Sequence, residues 1–190
     1  MKKKYIGLGA ALILTVCLST GVMMAWLIDS TEPIKNTFTI STIDVNIKET
    51  TGEQYKMVPG HTIKKDSLVS VNAGSEPCYI FIKLEKSANF KNFMTYTPAD
   101  GWIPLSTSDT EDVYYREVTN LQDPKAVLAA KAEFDVLKDD EIRVLPDVTK
   151  EDMTSASFTE PTLDISVHGV QLYSDNNTKF EPSDAWDLVE

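Results

Sequence analysis

Two histidines, two cysteines and a surplus of carboxylates are the side chains through which this chain could do chemistry. His61 follows the turn dipeptide Pro59-Gly60, and His168 stands in an alternating apolar run. A zinc peptidase needs a second ligand at helical spacing, as in H-E-x-x-H, and neither histidine has one. His61 is therefore read as an exposed loop residue. His168 is read as a strand residue on the side opposite Val167, at the surface or half-buried. Cys78 lies on an apolar alternating run and is read as a buried small hydrophobe, since nothing around it argues for a lowered thiol pKa. The clusters Asp109-Glu111-Asp112 and Asp139-Asp140-Glu141 could hold calcium with carbonyl help, but neither keeps the spacing of an EF-hand loop. There is no glycine-rich phosphate loop and no serine in a nucleophile elbow. The chain is read as non-enzymatic, with no catalytic residue, cofactor or metal.

The elements around these residues begin with a leader. Lys2, Lys3 and Lys4 precede a run from Tyr5 to Ile28 that carries no charge before Asp29. Basic start, apolar core and small residues near the end describe an export signal. The run is also long enough to cross a bilayer as a helix, so a retained membrane anchor is the competing reading. By the small-x-small rule Ala25 is a poor cleavage site, because Met23 occupies the minus-three position; Ser19-Thr20-Gly21 suits an ordinary signal peptidase better. Leu14-Thr15-Val16-Cys17 has valine where a lipoprotein site wants a small residue.

Without the three leader lysines the 18 basic residues fall to 15 against 29 acidic ones, taking the formal net charge from −11 to −14. Such a chain repels nucleic acid and anionic lipid surfaces, leaving the leader as the route to a membrane. Only Cys78 then remains of the cysteines, so no disulfide can form within one mature molecule. The mature part, about 165 residues, suits one domain with a real core.

Behind the leader, Phe38 and Ile40 alternate, and a slip at Ser41-Thr42 resets the pattern to Ile43, Val45 and Ile47. That is a half-buried first strand with a β-bulge. Asp66–Asn72 is a second strand, followed by the turn Ala73-Gly74-Ser75-Glu76-Pro77. Cys78, Ile80, Ile82 and Leu84 alternate with Tyr79, Phe81 and Lys83, a strand apolar enough for both faces to be covered. Asn92–Thr97, Trp102–Leu105 and Asp112–Glu117 are short strands separated by turn residues, and Leu163, Ile165, Val167 and Gly169 make a late one. Asp123 with Pro124 predicts a short helix to about Ala132, followed by strand, hairpin and strand through Val144. Thr149 is placed to cap one helical turn, and Ser183 to head a terminal helix carrying Trp186.

In order, several of these pieces resemble the TasA/camelysin family of exported Gram-positive proteins. Ala25-Trp26-Leu27-Ile28-Asp29-Ser30 looks like the family's cleavage junction. Asn36-Thr37-Phe38 with Ile43-Asp44-Val45-Asn46-Ile47 looks like its first strand. Pro59-Gly60, Val71-Asn72-Ala73-Gly74-Ser75 and Tyr79–Leu84 follow its central block, with Lys83 where arginine is frequent, and Val170-Gln171 with Ala185-Trp186 its closing strand and tail. The resemblance implies a jelly-roll-like sandwich and cleavage close to Ala25, in the region of Ala25 and Trp26, by a SipW-type signal peptidase. It also implies assembly into matrix fibres, with the segment Trp26–Lys35 donated as a strand to a neighbouring subunit.

The expectation is thus an all-β chain, a jelly-roll or immunoglobulin-like β-sandwich with short helical insertions behind an N-terminal hydrophobic helix. Residues 1–25 are leader or anchor, 26–36 a hinge and possible donor strand, and 37–190 the sandwich. Trp26, Leu27 and Ile28 would fill a partner's groove, with Pro33 in the hinge. The protein is expected outside the cell, secreted or at the surface, with itself as partner. The rival readings are an adhesion module that never polymerises and a camelysin-like metallopeptidase.

Overall fold

The computed structural model describes residues 42–52, 55–175 and 178–189. The leader, the cleavage residues Ala25 and Trp26, and the donor residues Trp26, Leu27, Ile28 and Pro33 lie outside the described residues, as do Phe38 and Ile40. Ten strands follow in chain order: β1 (Val45–Lys48), β2 (Thr62–Lys64), β3 (Leu68–Val71), β4 (Cys78–Lys86), β5 (Met94–Pro98), β6 (Ile103–Thr107), β7 (Glu111–Val118), β8 (Ala132–Asp135), β9 (Leu137–Val144) and β10 (Leu163–Gln171). Short helices are α1 (Phe90–Phe93), α2 (Lys150–Thr154) and α3 (Pro182–Trp186).

β4 is the centre because β-branched and aromatic residues alternate along it and fit a pleat covered on both sides. It pairs with β10 and β7 in a four-stranded antiparallel sheet of order β10-β4-β7-β6. Two three-stranded antiparallel sheets, β1-β3-β8 and β2-β9-β5, continue one another into the second layer. The joints are backbone bonds from Lys65 N to the Asp140 carbonyl (2.7 Å) and from Val136 N to the Ser67 carbonyl (2.9 Å). Cys78, Ile80, Ile82 and Leu84 face this layer and meet Val69, Val71, Leu137, Ile142 and Val144 in the main core. Tyr79 and Phe81 point the other way and are covered by Leu172, Ala185 and Trp186, so α3 closes the outer face. The fold is an all-β sandwich with short helical insertions.

The predicted strands at 66–72, 78–84, 102–105, 112–117 and 163–169 all have counterparts. Thr149 caps α2 in a reciprocal capping box with Asp152, and the terminal helix forms with Pro182 at its first position rather than Ser183. Three expectations change. The chain from Asn92 makes a helical turn before β5 begins at Met94.

The helix expected over Asp123–Ala132 does not form. Asp123 accepts from Lys125 N (3.1 Å), and Ala126 N reaches the Asp123 carbonyl (2.9 Å), which completes one turn. Leu128 is then buried, and its N–H and carbonyl go to Ser75 and Gly74 (both 2.8 Å) instead of along a helix. Tertiary pairing overrides the local cap signal.

The hairpin expected before Ile142 is absent too. The step from Lys64 to Leu68 faces a longer step from Asp135 to Glu141 across the ladder, leaving two extra residues. Asp139 and Asp140 absorb them at φ of 58° and 56°. Aspartate tolerates this left-handed region, so the strand bulges and continues in the same direction.

Candidate functional site: the seam between two open strand edges

Six strands pair on one side only among the described residues: β1, β2, β5, β6, β8 and β10. β10 is the longest at nine residues and contains no proline. Its neighbour across the sandwich is β1, which lies against it without joining its ladder. Along this seam Ile43, Val45 and Ile47 come from one layer, and Leu163, Ile165 and Val167 from the other. All six are packed on the core yet only half-buried. A line of half-covered aliphatic side chains flanked by unpaired backbone groups is a shape that a further strand completes.

The approach at one end of the seam depends on Gly169. A Cβ there would stand 2.6 Å from Val45 Cγ2 and 2.9 Å from Ile43 Cγ2, closer than packed carbons tolerate. The start of β1 is tied down beside it: Asn72 N bonds the Asp44 carbonyl (2.9 Å), Asp44 N reaches Ser75 Oγ (3.1 Å), and Glu76 N the Thr42 carbonyl (3.1 Å). Thr42 and Asp44 are thereby held at the turn 72–76.

The opposite side of the sandwich, where β5 and β6 are the edges, is closed by polar chemistry. Asp112, only 7% exposed, pairs with Lys86 (2.7 Å) and accepts from Tyr96 Oη and from Ser108 N (3.2 Å). The Lys86 ammonium also donates to the Ser108 carbonyl (2.8 Å). Burial, and then the bond to Asp112, push the Tyr96 phenol well above its usual range. Further along, the Arg116 guanidinium stacks 5.3 Å from the Trp102 ring centroid and 4.5 Å from that of Phe134. It donates to the carbonyls of Gly101 (3.1 Å) and Asp100. Loss of hydration lowers its pKa.

His61 is exposed, with Nδ1 3.1 Å from the Pro59 carbonyl. His168 is half-buried on the outer face, edge-on to Trp186 at 5.7 Å and 3.3 Å from Ser166 Oγ. Among the described residues no three His, Cys, Asp or Glu side chains converge as metal ligands. Cys78 has no exposed surface, and burial raises its thiol pKa to about 12. Four acids of the two clusters meet separate lysines: Asp109 pairs with Lys91, Glu111 with Lys83 (2.9 Å), Asp112 with Lys86, and Glu141 with Lys64 (3.6 Å). Lys83, standing at the resemblance's arginine position, also reaches Glu85 (3.3 Å).

Sequence reasoning missed the seam and the Arg116 stack, because both depend on which strands end as neighbours. The half-apolar alternation of Ile43–Ile47 and Leu163–Val167 was the available signal. No described helix is long and apolar enough to cross a membrane.

No family model matches the chain, and no curated protein does. Among solved structures, the chain is similar to one in the crystal structure of the CaDoc0917–CaCohA2 complex. The identity is 11%, over 65% of this chain and 84% of that one, with a TM-score of 0.37. The sandwich described above rests on its own ladders and core.

Proposed function

We propose that this chain is an exported, non-catalytic surface or matrix protein that self-associates when the segment Trp26–Lys35 of one copy enters the β1/β10 seam of another. The half-buried seam carries the reading. Finishing the burial of its six aliphatic side chains contributes on the order of 1 kcal/mol each, and a strand added to the β10 edge satisfies its free backbone groups. Trp26, Leu27 and Ile28 supply the apolar side chains. Head-to-tail donation whose rotation does not close on itself yields a filament, and that is the product proposed. A SipW-type signal peptidase would free the donor end by cutting between Ala25 and Trp26.

Electron microscopy of the purified chain freed of residues 1–25, with and without residues 26–35, tests this. Filaments from the intact chain and monomers from the deletion are expected. Multimers that survive the deletion, or an intact chain that stays monomeric at high concentration, defeat the proposal.

A further inference from the structure

Away from the seam, a cleft of about 580 Å³ opens between α1, the chain leaving β9 and the segment that follows α2. That volume is in the range of small-ligand sites. Its floor is apolar: Phe93 and Phe158 meet edge-to-face at 5.4 Å, with Leu145 and Val148 beside them. Its walls are held from behind. Asn89 Nδ2 donates to the Thr159 carbonyl (2.7 Å) and Oγ1 (3.1 Å), while its carbonyl oxygen accepts from Ser87 Oγ (2.7 Å). Ser87 in turn exchanges bonds with Thr162 N (3.0 Å) and the Thr162 carbonyl (3.1 Å). The capping box of Thr149 and Asp152 fixes the other wall.

The other polar residues lining the cleft are of mixed kind: Asn92 with its carboxamide, Asp147 and Glu151 with their carboxylates, and Ser157, whose hydroxyl meets Ser155 Oγ (3.4 Å). None of them is drawn into the α2 capping box or the Asn89 clamp that fix the walls. Among the described residues no lysine or arginine lines the space, so an anionic ligand finds no counter-charge there. A simple cation would use the carboxylates and the carboxamide oxygen but leave the apolar floor unmatched. A sugar matches all of them. Its hydroxyls donate to carboxylates, both donate to and accept from a carboxamide, and its C–H face lies on an aromatic ring.

We infer that this cleft binds a neutral oligosaccharide. The inference goes beyond self-assembly and does not rest on it, so binding to monomer or filament counts equally. Calorimetric titration of the whole chain with cellotriose, triacetylchitotriose and maltotriose, and separately with spermine, tests it. Millimolar or tighter binding of at least one trisaccharide is expected. Asn92→Ala and Glu151→Ala should each weaken it about tenfold without moving the melting temperature, and Phe158→Leu, which keeps an apolar floor but no ring, should weaken it too. Failure of all three trisaccharides to bind, binding indifferent to these substitutions, or uptake of spermine alone overturns the assignment.

Discussion

Along β5 and β6 the sandwich ends in prolines, shifted registers and a buried ion network; along β1 and β10 it ends in aliphatic side chains and unbroken edges. Pro98 and Pro104 each remove a ladder donor, and each lies where its strand's pairing slips. Such features blunt an edge against unwanted strands. β10 carries neither device. The same two layers thus meet solvent in two ways, one finished within the chain and one left to be finished. Closure by polar pairing costs desolvation and gives a fixed geometry, whereas a half-covered apolar seam leaves stabilisation available to an incoming segment.

The sharpest way to break this contrast is to unseal the closed side. Asp112→Ala strips the Lys86 ammonium of its counter-charge and Tyr96 of its acceptor, and is expected to cost about 3 kcal/mol. The same change at exposed Asp164 on β10 should stay within about 0.5 kcal/mol. Urea unfolding of the two variants measures both, and equal losses would show that the sides do not differ as argued.

Gly101→Ala acts at the other end of the closed side. Gly101 sits at φ 91°, and a Cβ there would fall on the Arg116 guanidinium. Strain plus the displaced stack should cost about 2 kcal/mol, read as a lower melting temperature with the weakened Arg116–Trp102 contact visible in tryptophan fluorescence. An unchanged melting temperature would remove Arg116 from the account of closure.

On the open side the expected cost to the single molecule is smaller. Ile165→Ala removes a half-buried side chain and should cost about 1.5 kcal/mol of folding stability. If the seam receives a strand, the variant should also form shorter or fewer filaments than a variant of equal stability on the closed side. Filament length that tracks stability alone would dissociate the seam from assembly.

How much of this was legible in the sequence differs by element. β4 and β10 could be read because their own side chains alternate through long runs, and α2 because Thr149 and Asp152 stand within one turn. The segment after Asp123 could not, since its fate depends on the backbone of Ser75 and Gly74, some fifty residues earlier. Asp139 and Asp140 looked like a turn, and they do take turn-like dihedrals, but the ladder on both sides carries the strand on past the bulge they make. The seam is the extreme case. Each of its six aliphatic residues reads as half-buried, yet nothing local says that β1 and β10 end side by side.

The smallest expected effect comes from Tyr96→Phe, which separates the polar seal from the packing around it. At neutral pH the variant loses one hydrogen bond to Asp112 and keeps the ring, for a cost of about 1 kcal/mol. The pH dependence is the more telling readout. The Tyr96 phenol is held above its ordinary value of 10.0 in the folded chain. Its contribution is therefore complete below that pH and is lost as pH rises, because the unfolded chain releases this proton first. Buried Cys78, raised from 9.0 to about 12, adds a loss of the same sign and is present in both proteins. The difference in urea stability between native chain and variant should accordingly shrink as pH rises above 10. A constant difference across that range would mean that Tyr96 titrates normally and that Asp112 does not hold it.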